Sequence, residues 1–264
     1  MTEWVLIEHR GPAAIVSLNR PDKRNALTQS MLAEVGQAVA QAGRQPGVRA
    51  VLVRGHGRGF SAGIDLHAFT GADQDFGPDW RARMLDLTHQ FQASLNAVAA
   101  CPVPTIALLH GFVLGLGLEL ALACDLRLAA SGTQLGLPEA RLGLIPDVGG
   151  TTRLTRLLGP ARAKELIVTG GTADTAKAAA WGLINEVVRE QDLLERGLAL
   201  AAEIALCAPL AVAAAKRVID QVDDDITRGL ELEAQAQNEL VHTADFEAAV
   251  QALASKSLPL WQGR

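Results

Sequence analysis

The amino-acid sequence predicts an α/β protein with a helical C-terminal region. Two apolar runs, 13–18 and 48–53, flank a helix-like stretch, and this strand–helix–strand spacing is typical of a parallel sheet. Beyond about residue 192 only helical periodicity remains. The 264 residues, 49% of them apolar, suffice for a sizeable core. We therefore predict a core over 1–191 that carries the functional site, and a helical region over 192–264.

The N-terminal part of the chain contains the elements that define this class. Two short strands are predicted first, at 4–8 and 13–18. After a polar turn, Thr28 is suited to cap a helix that extends to about residue 42. The apolar run at 48–53 then predicts a buried strand of a parallel sheet.

The central part of the chain contains a long uncharged run. A polar loop is predicted over 70–79 and an amphipathic helix over 80–100. The 17 residues of 102–118 carry no formal charge, but two prolines and three glycines interrupt the run, which excludes a membrane span. A strand over 104–109, a Gly-rich turn and a buried helix from about 116 fit it better.

The remaining predicted elements are two short strands and four helices. The strands lie near 125–130 and 184–188. The helices are predicted at 192–206, 209–221, 226–241 and 244–255.

Composition and charge exclude several classes of partner. The net charge of −5 argues against a nucleic acid or a polybasic membrane surface as the main partner. The N-terminus lacks the basic and apolar regions of a secretory signal. Cys101, Cys124 and Cys207 lie far apart in apolar surroundings, which predicts free, buried thiols. These features predict a cytoplasmic protein.

Glycine-rich motifs point to a site built from main-chain groups. Gly115-Leu-Gly resembles the start of a dinucleotide fingerprint, but Leu120 occupies the third glycine position. The run 59–63 matches Gly-x-Ser-x-Gly, which leaves a serine hydrolase with Ser61 as nucleophile as one alternative. In the other interpretation, the N–H groups of Ile64 and Leu116 point into a cleft and form an oxyanion hole.

Three carboxyl groups are candidates for proton transfer. Glu119 falls within an otherwise apolar helix, where burial would raise its pKa, unless it forms an ion pair with Arg127 or Arg141. Glu139 follows a proline at a helix start, where a carboxylate is also favourable in the first turn. Asp147 precedes Gly-Gly, and helix capping is its favoured role.

Five segments together resemble the crotonase family, the enoyl-CoA hydratase/isomerase superfamily. They occur in order over nearly the whole chain, and the ordered set is highly specific. The segments are NRPDKRNAL at 19–27, GFSAGIDL at 59–66, HGFVLGLGLELALACD at 110–125, LGLPEARLGLIPDVGGT at 135–151 and AAWGLIN at 179–185.

The resemblance implies a crotonase-type ββα superhelix with a C-terminal helical trimerisation region, and a homotrimer or a dimer of trimers. It implies a coenzyme A thioester whose carbonyl lies between the N–H groups of Ile64 and Leu116. The two family acids correspond to Glu119 and Glu139, which would handle one water in the hydration of a trans-2-enoyl-CoA. Coenzyme A is part of the substrate, and neither a metal nor a separate cofactor is implied.

The resemblance also implies a set of substrate contacts. The segment 70–83 resembles the variable loop and helix that form the wall of the acyl pocket. Lys23, Arg24 and Lys256 are the candidates for the coenzyme phosphates. The remaining predicted contacts with coenzyme A, mostly through the main chain, are Ala26, Ala62, Gly63, Asp65, Leu66 and Gly115.

Two further functions stay open at this level. Dienoyl-CoA isomerases of the superfamily carry an aspartate where this chain has Asp147, so a Δ3-Δ2 enoyl-CoA or dienoyl-CoA isomerase using Glu139 and Asp147 is the alternative. The position of Leu116 is usually glycine in hydratases. Its side chain therefore prompts a third hypothesis, a non-catalytic acyl-CoA binding protein.

Overall fold

The computed structural model describes residues 3–67, 76, 79–222, 226–255 and 257–264, and it contains two sheets. The strands are β1 (Val5–Arg10), β2 (Ala13–Leu18), β3 (Ala50–Gly55), β4 (Thr105–Leu109), β5 (Phe112–Leu114), β6 (Leu126–Ala130), β7 (Gln134–Gly136), β8 (Thr172–Ala173) and β9 (Glu186–Val188). The larger sheet has the order β1-β2-β3-β4-β6-β9, and only its β1–β2 pair is antiparallel. The smaller sheet has the order β5-β7-β8.

The predicted helices lie close to their expected positions, but two further helices, Pro160–Thr169 and Thr175–Trp181, were not predicted. Thr28 caps the first of them, because its hydroxyl accepts a hydrogen bond from the Met31 N–H at 3.2 Å. The helices are α1 (Gln29–Ala42), α2 (Met84–Ala99), α3 (Leu116–Ala123), α4 (Gly150–Leu158), α5 (Pro160–Thr169), α6 (Thr175–Trp181), α7 (Leu193–Ala205), α8 (Pro209–Gln221), α9 (Ile226–Leu240) and α10 (Ala244–Ser255). Short 3-10 turns lie at Pro21–Lys23, Pro138–Leu142 and Glu190–Asp192.

The central part of the large sheet is covered on both faces, which explains why β2 is buried at every position. In β2, Val16 and Leu18 belong to the main core beneath α1 and α2. Ala13 and Ile15 of the same strand face a second core that includes residues of α7. Successive side chains of a strand point to opposite faces, so both sets are buried.

The C-terminal region starts as a layer of this core. α7 packs on the second face of the sheet, and a Cβ at Gly197 would lie 2.8 Å from a methyl group of Leu108 in β4. α8 and α9 then form a separate small core with Ala214, Val218 and Ala236. The division at 191/192 and the trimerisation role of the C-terminal helices stay predictions.

The cysteine prediction is wrong at one position. Cys101 and Cys124 are buried, but Cys207 is exposed, because it lies in the surface turn between α7 and α8. All three thiols are free.

Across the described ranges, no single helix has the length and apolar character needed to cross a membrane. By length and composition alone, the bent pair Glu190–Ala205 and Pro209–Gln221 passes when taken together, with 106° between its two parts.

Candidate active site

Two glycine turns from separate parts of the chain meet at one side of the small sheet. Ser61 and Val113 form a parallel bridge, and the Leu114 N–H donates to the Ser61 carbonyl at 3.1 Å. Both turns need glycine, because φ is +96° at Gly63 and +51° at Gly115. A Cβ at Gly63 would lie 2.8 Å from the Leu114 carbonyl oxygen. The turns are therefore in direct contact.

The residues after these two glycines, Ile64 and Leu116, both line one cleft. Within the part of the chain that the structure describes, the N–H groups of Ile64 and Leu116 have no hydrogen-bond acceptor. Leu116 is also the first residue of α3, where N–H groups lack intrahelical partners. The cleft has a volume of about 470 Å³. Its lining is Asp22, Lys23, Arg24, Ala26, Ala62, Gly63, Ile64, Asp65, Leu66, His67, Gly115, Leu116, Pro138, Glu139 and Leu142.

Glu119 lies one turn into α3 and is only 2% exposed. Its Oε1 accepts hydrogen bonds from the N–H groups of Val148, at 2.9 Å, and Gly150, at 2.8 Å. Burial raises the pKa of Glu119 to about 8; the nearby Glu139 and Asp147 carboxylates add to the rise, and the two N–H donors oppose it.

Neither arginine that was considered as an ion-pair partner binds Glu119. Arg127 donates to main-chain carbonyls, including that of Cys124 at 2.7 Å. Arg141 is exposed and directs its guanidinium to the Thr169 carbonyl at 3.4 Å. Glu119 is therefore a buried carboxyl group held by main-chain donors, and no cation among the described residues forms an ion pair with it.

Glu139 approaches the same cleft from the 3-10 turn Pro138–Leu142. A Cβ at Gly115 would lie 2.8 Å from Glu139 Oε1, which places this carboxyl group beside the Gly115 turn. Oε2 is buried and has no hydrogen-bond partner among the described residues. Burial raises the pKa of Glu139, and the Asp147 carboxylate adds to the rise. An unpaired buried oxygen is costly, so this atom is suited to meet a ligand.

The capping role predicted for Asp147 is wrong. The N-cap position of α4 is Gly149, and no side chain caps that helix. Asp147 Oδ2 instead accepts a hydrogen bond from the Thr88 hydroxyl of α2 at 2.7 Å. A tertiary contact with a helix distant in sequence thus replaces the local cap.

Ser61 is unsuited to act as a nucleophile. It is 0% exposed, and its hydroxyl donates to the Asn25 carbonyl at 2.8 Å. The same oxygen accepts from the Gly63 N–H at 3.1 Å. The side chain therefore shapes the first glycine turn, and the serine hydrolase alternative loses its support.

The Leu116 side chain is also internal. It is 3% exposed and packs in the main core, while its N–H stays without an acceptor among the described atoms. This position removes the observation that prompted the non-catalytic binding protein.

The predicted coenzyme contacts other than Lys256 line the cleft, but not all of their side chains are free to bind a ligand. Lys23 and Arg24 are exposed at its edge, and no ion pair involves them within the described ranges. Asp65 is buried, and its Oδ2 binds Arg20 Nη1 at 2.6 Å. Burial alone would raise the pKa of Asp65, but the Arg20 guanidinium and the His67 N–H lower it. The Asp65 carboxylate is therefore committed to Arg20.

Some of the predicted substrate contacts lie outside the described residues. They are Lys256 and, within the predicted acyl-pocket segment, 70–75, 77 and 78.

Sequence reasoning missed the donors to Glu119. Val148 and Gly150 lie 29 and 31 residues from it in sequence. The glycine at position 150 was the one local signal. A Cβ there would lie 2.9 Å from Glu119 Oε1, so only glycine leaves room for that carboxyl group. Among the cleft-lining residues, Asp22, His67, Pro138 and Leu142 were not predicted.

A two-sheet α/β fold with this cleft, two unpaired N–H groups, the buried Glu119 and the half-buried Glu139 fits the class of crotonase-type proteins. The model of the enoyl-CoA hydratase/isomerase family matches residues 9–264, and the chain belongs to that family. It is therefore an enzyme of the crotonase type that acts on coenzyme A thioesters.

Known proteins similar to this chain agree with the assignment. The mouse enoyl-CoA hydratase domain-containing protein 2, mitochondrial, is 39% identical over 260 residues, covering 94% of this chain and 84% of that protein. Carnitinyl-CoA dehydratase of Citrobacter koseri is 33% identical and covers 100% of both chains. The crystal structure of an enoyl-CoA hydratase from Bacillus anthracis has a TM-score of 0.90 at 34% identity, covering 99% of this chain and 100% of that chain. The predicted family and the crotonase fold are thus confirmed.

Proposed function

We propose that this enzyme hydrates a trans-2-enoyl-CoA to the 3-hydroxyacyl-CoA. The observation that carries the proposal is a pair of carboxyl groups whose pKa values are raised. Glu139 lines the cleft that also contains the two unpaired N–H groups, and the buried Glu119 lies close enough to Glu139 for the two carboxyl groups to interact. Addition of water to a conjugated thioester needs both parts, because a proton must move at two carbons while negative charge develops on the thioester oxygen.

The N–H groups of Ile64 and Leu116 receive the thioester oxygen in this proposal. Neither has a competing acceptor among the described atoms, so no internal hydrogen bond has to break when the substrate binds. The Leu116 N–H stands at a helix N-terminus, where the helix dipole also favours negative charge. Fixed donors aimed at developing charge supply a large part of the catalysis of such reactions.

The two glutamates share one proton during turnover. In hydration, ionised Glu119 takes a proton from water as the hydroxyl oxygen bonds to Cβ, and neutral Glu139 gives its proton to Cα. Glu119 is then neutral and Glu139 is ionised, which is the state needed for the reverse dehydration. Deep burial favours a proton on Glu119 in the free enzyme, so the proton must return to Glu139 before each hydration.

The coenzyme phosphates bind at the edge of the cleft in this proposal. The exposed side chains of Lys23 and Arg24 are suited to contact them.

We also propose a homotrimer or a dimer of trimers formed through the C-terminal helices. The exposed side chains of Ile219, Leu230 and Val250 in those helices support such an interface. The cytoplasmic location stays a prediction.

A panel of coenzyme A thioesters tests the reaction. Saturated, 2-enoyl and 3-enoyl thioesters of several chain lengths are incubated with the enzyme, and products are identified by mass spectrometry. We expect crotonyl-CoA or a longer 2-enoyl-CoA to gain one water and to lose the absorbance of its conjugated thioester. Tight binding without turnover across the panel would instead support the acyl-CoA binding protein.

Asp147 favours one second candidate, an isomerase that shifts a double bond. It is free of the predicted capping role, and its carboxylate is close enough to raise the pKa values of Glu119 and Glu139. A third acid near the pair is suited to move a proton along the acyl chain.

Asp147→Asn separates the two candidates. The amide oxygen still accepts from Thr88, so we expect hydration to stay within about threefold of the wild-type rate, as for a retained neutral hydrogen bond. Initial rates with 2-enoyl, 3-enoyl and 3,5-dienoyl thioesters provide the measurement. Loss of 3-enoyl or 3,5-dienoyl turnover in this variant, with little hydration by either protein, would assign the isomerase.

A further inference from the structure

Helix α2 carries a polar stripe beside its apolar one. Thr88, Gln92 and Asn96 are spaced by four residues and therefore lie along one side of the helix. We call these three residues the α2 ladder. The buried residues of the helix form the neighbouring stripe: Leu87, Phe91, Leu95 and Val98.

Every member of the α2 ladder is bonded to the segment that follows Pro146. The Thr88 hydroxyl donates to Asp147 Oδ2 at 2.7 Å, and Gln92 Nε2 donates to the Asp147 carbonyl at 2.6 Å. Asn96 Oδ1 accepts from Arg153 Nη2 at 2.7 Å. Arg153 Nη1 in turn donates to the Val148 carbonyl at 3.0 Å. Two turns of α2 thus bind this loop directly, and a third turn is linked to it through Arg153 of α4.

The loop that follows Pro146 binds Glu119 on its other side. The N–H groups of Val148 and Gly150 both donate to its Oε1. The Asp147 carbonyl and the Val148 N–H belong to one planar peptide unit, in which they point in opposite directions. Gln92 on the carbonyl therefore fixes the direction in which the N–H meets Glu119.

We propose that Thr88 and Gln92 are positioning residues that set the orientation of the Glu119 carboxyl group through the 147–150 loop. Neither side chain contacts Glu119, so each acts through the main chain of the loop. The inference rests on the proposed hydration for its kinetic consequence. The effect of Thr88 and Gln92 on the 147–150 loop does not depend on any substrate.

Substitutions in the α2 ladder leave the charged surroundings of Glu119 unchanged, so the direction of the pH effect follows from its two N–H bonds. Among the described residues, Glu139, Asp147 and Arg153 are the titratable groups that interact with Glu119, and none of them is removed. A loosened loop weakens the two N–H bonds that stabilise the ionised form. The pKa of Glu119 then rises. The active pair holds one proton, which rests on Glu119 in the free enzyme, so the loss of that proton defines the alkaline limb of the rate profile, and this limb moves to higher pH.

The test compares Gln92→Leu with Gln90→Leu. Gln90 is exposed on the same helix and bonds to Gln29 of α1, so it provides the same substitution away from the loop. For Gln92→Leu we expect a roughly tenfold lower kcat with KM within about twofold, as for one lost hydrogen bond of a positioning group. Peptides covering 146–151 should exchange their amide hydrogens at least about tenfold faster, and the alkaline limb should shift upward.

A second pair of variants keeps the test decisive if Gln92→Leu fails to fold. Thr88→Val removes the donor at nearly constant volume, and Thr88→Ser restores it. We expect the valine variant to repeat the loss and the serine variant to regain most of the activity.

Failure of this inference differs from failure of the proposed function. Equal exchange and equal kcat in Gln92→Leu and Gln90→Leu would overturn the positioning role while wild-type hydration persists. A wild-type enzyme that is inert towards 2-enoyl thioesters would refute the hydratase, and the exchange of the 146–151 amides would still decide the role of α2.

Discussion

Replacing Glu119 or Glu139 by glutamine is expected to lower kcat for hydration by roughly 10²- to 10⁴-fold, the range of positioned general acids and bases. Glutamine keeps the size of each side chain but cannot exchange a proton. At position 119 its amide oxygen still accepts from the Val148 and Gly150 N–H groups, so the loop is retained. KM should change little, because the thioester oxygen and coenzyme are bound elsewhere. The loss of enoyl-thioester absorbance measures both parameters.

Two further variants test whether the loss is specific to the Glu119 and Glu139 carboxyl groups. Glu34→Gln makes the same change at an exposed position of α1 and should leave kcat unchanged. The double variant of Glu119 and Glu139 should be little slower than the slower single variant, because residues that share one proton act as a unit. Full activity in either single variant would contradict the two-carboxyl mechanism.

The sequence predicts the burial of Glu119 better than it predicts the groups that form hydrogen bonds with it. A carboxyl group within an apolar helix is a local signal, and the structure places it in a buried helix, as expected. Its two donors come from a loop about thirty residues away, and α2 holds that loop from more than fifty residues away. Contacts at such separations depend on the packing of the whole chain, so local periodicity does not contain them.

The small sheet shows a second limit of prediction from sequence, which is the length of its strands. β5 and β7 have three residues each, too few for an alternating or continuous apolar pattern. Their pairing nevertheless brings Gly115 next to Gly136, whose carbonyl accepts the Gly115 N–H at 2.9 Å. The glycine turn could be predicted from sequence, whereas the strands that support it could not.

Asp147 shows how a correct local rule yields a wrong role. An acid shortly before a helix start is usually a cap, and α4 does begin at Gly150. The hydroxyl of Thr88 competes for the carboxylate, however, and turns it towards α2. The error lies in the choice of partner, since the position of the helix was predicted well.

Glu119→Gln is also expected to stabilise the fold at alkaline pH. The Glu119 carboxyl group has an ordinary pKa of 4.5, and burial raises it to about 8 in the folded protein. Between these values the folded state binds more protons than the unfolded state, so stability falls as pH rises through this window. Above pH 8 the full penalty applies, on the order of 5 kcal/mol. Glutamine has no such titration and still accepts both N–H bonds.

Thermal unfolding at pH 5, 7 and 9 provides the measurement. Protein concentration is held fixed, because assembly makes Tm depend on it. We expect Tm of Glu119→Gln to equal that of the wild type near pH 5 and to exceed it progressively up to pH 9. Glu34→Gln should show no such divergence, because Glu34 is exposed. A difference between Glu119→Gln and wild type that is the same at all three pH values would show that Glu119 titrates normally. The buried carboxyl group would then be ionised throughout and unable to hold the shared proton.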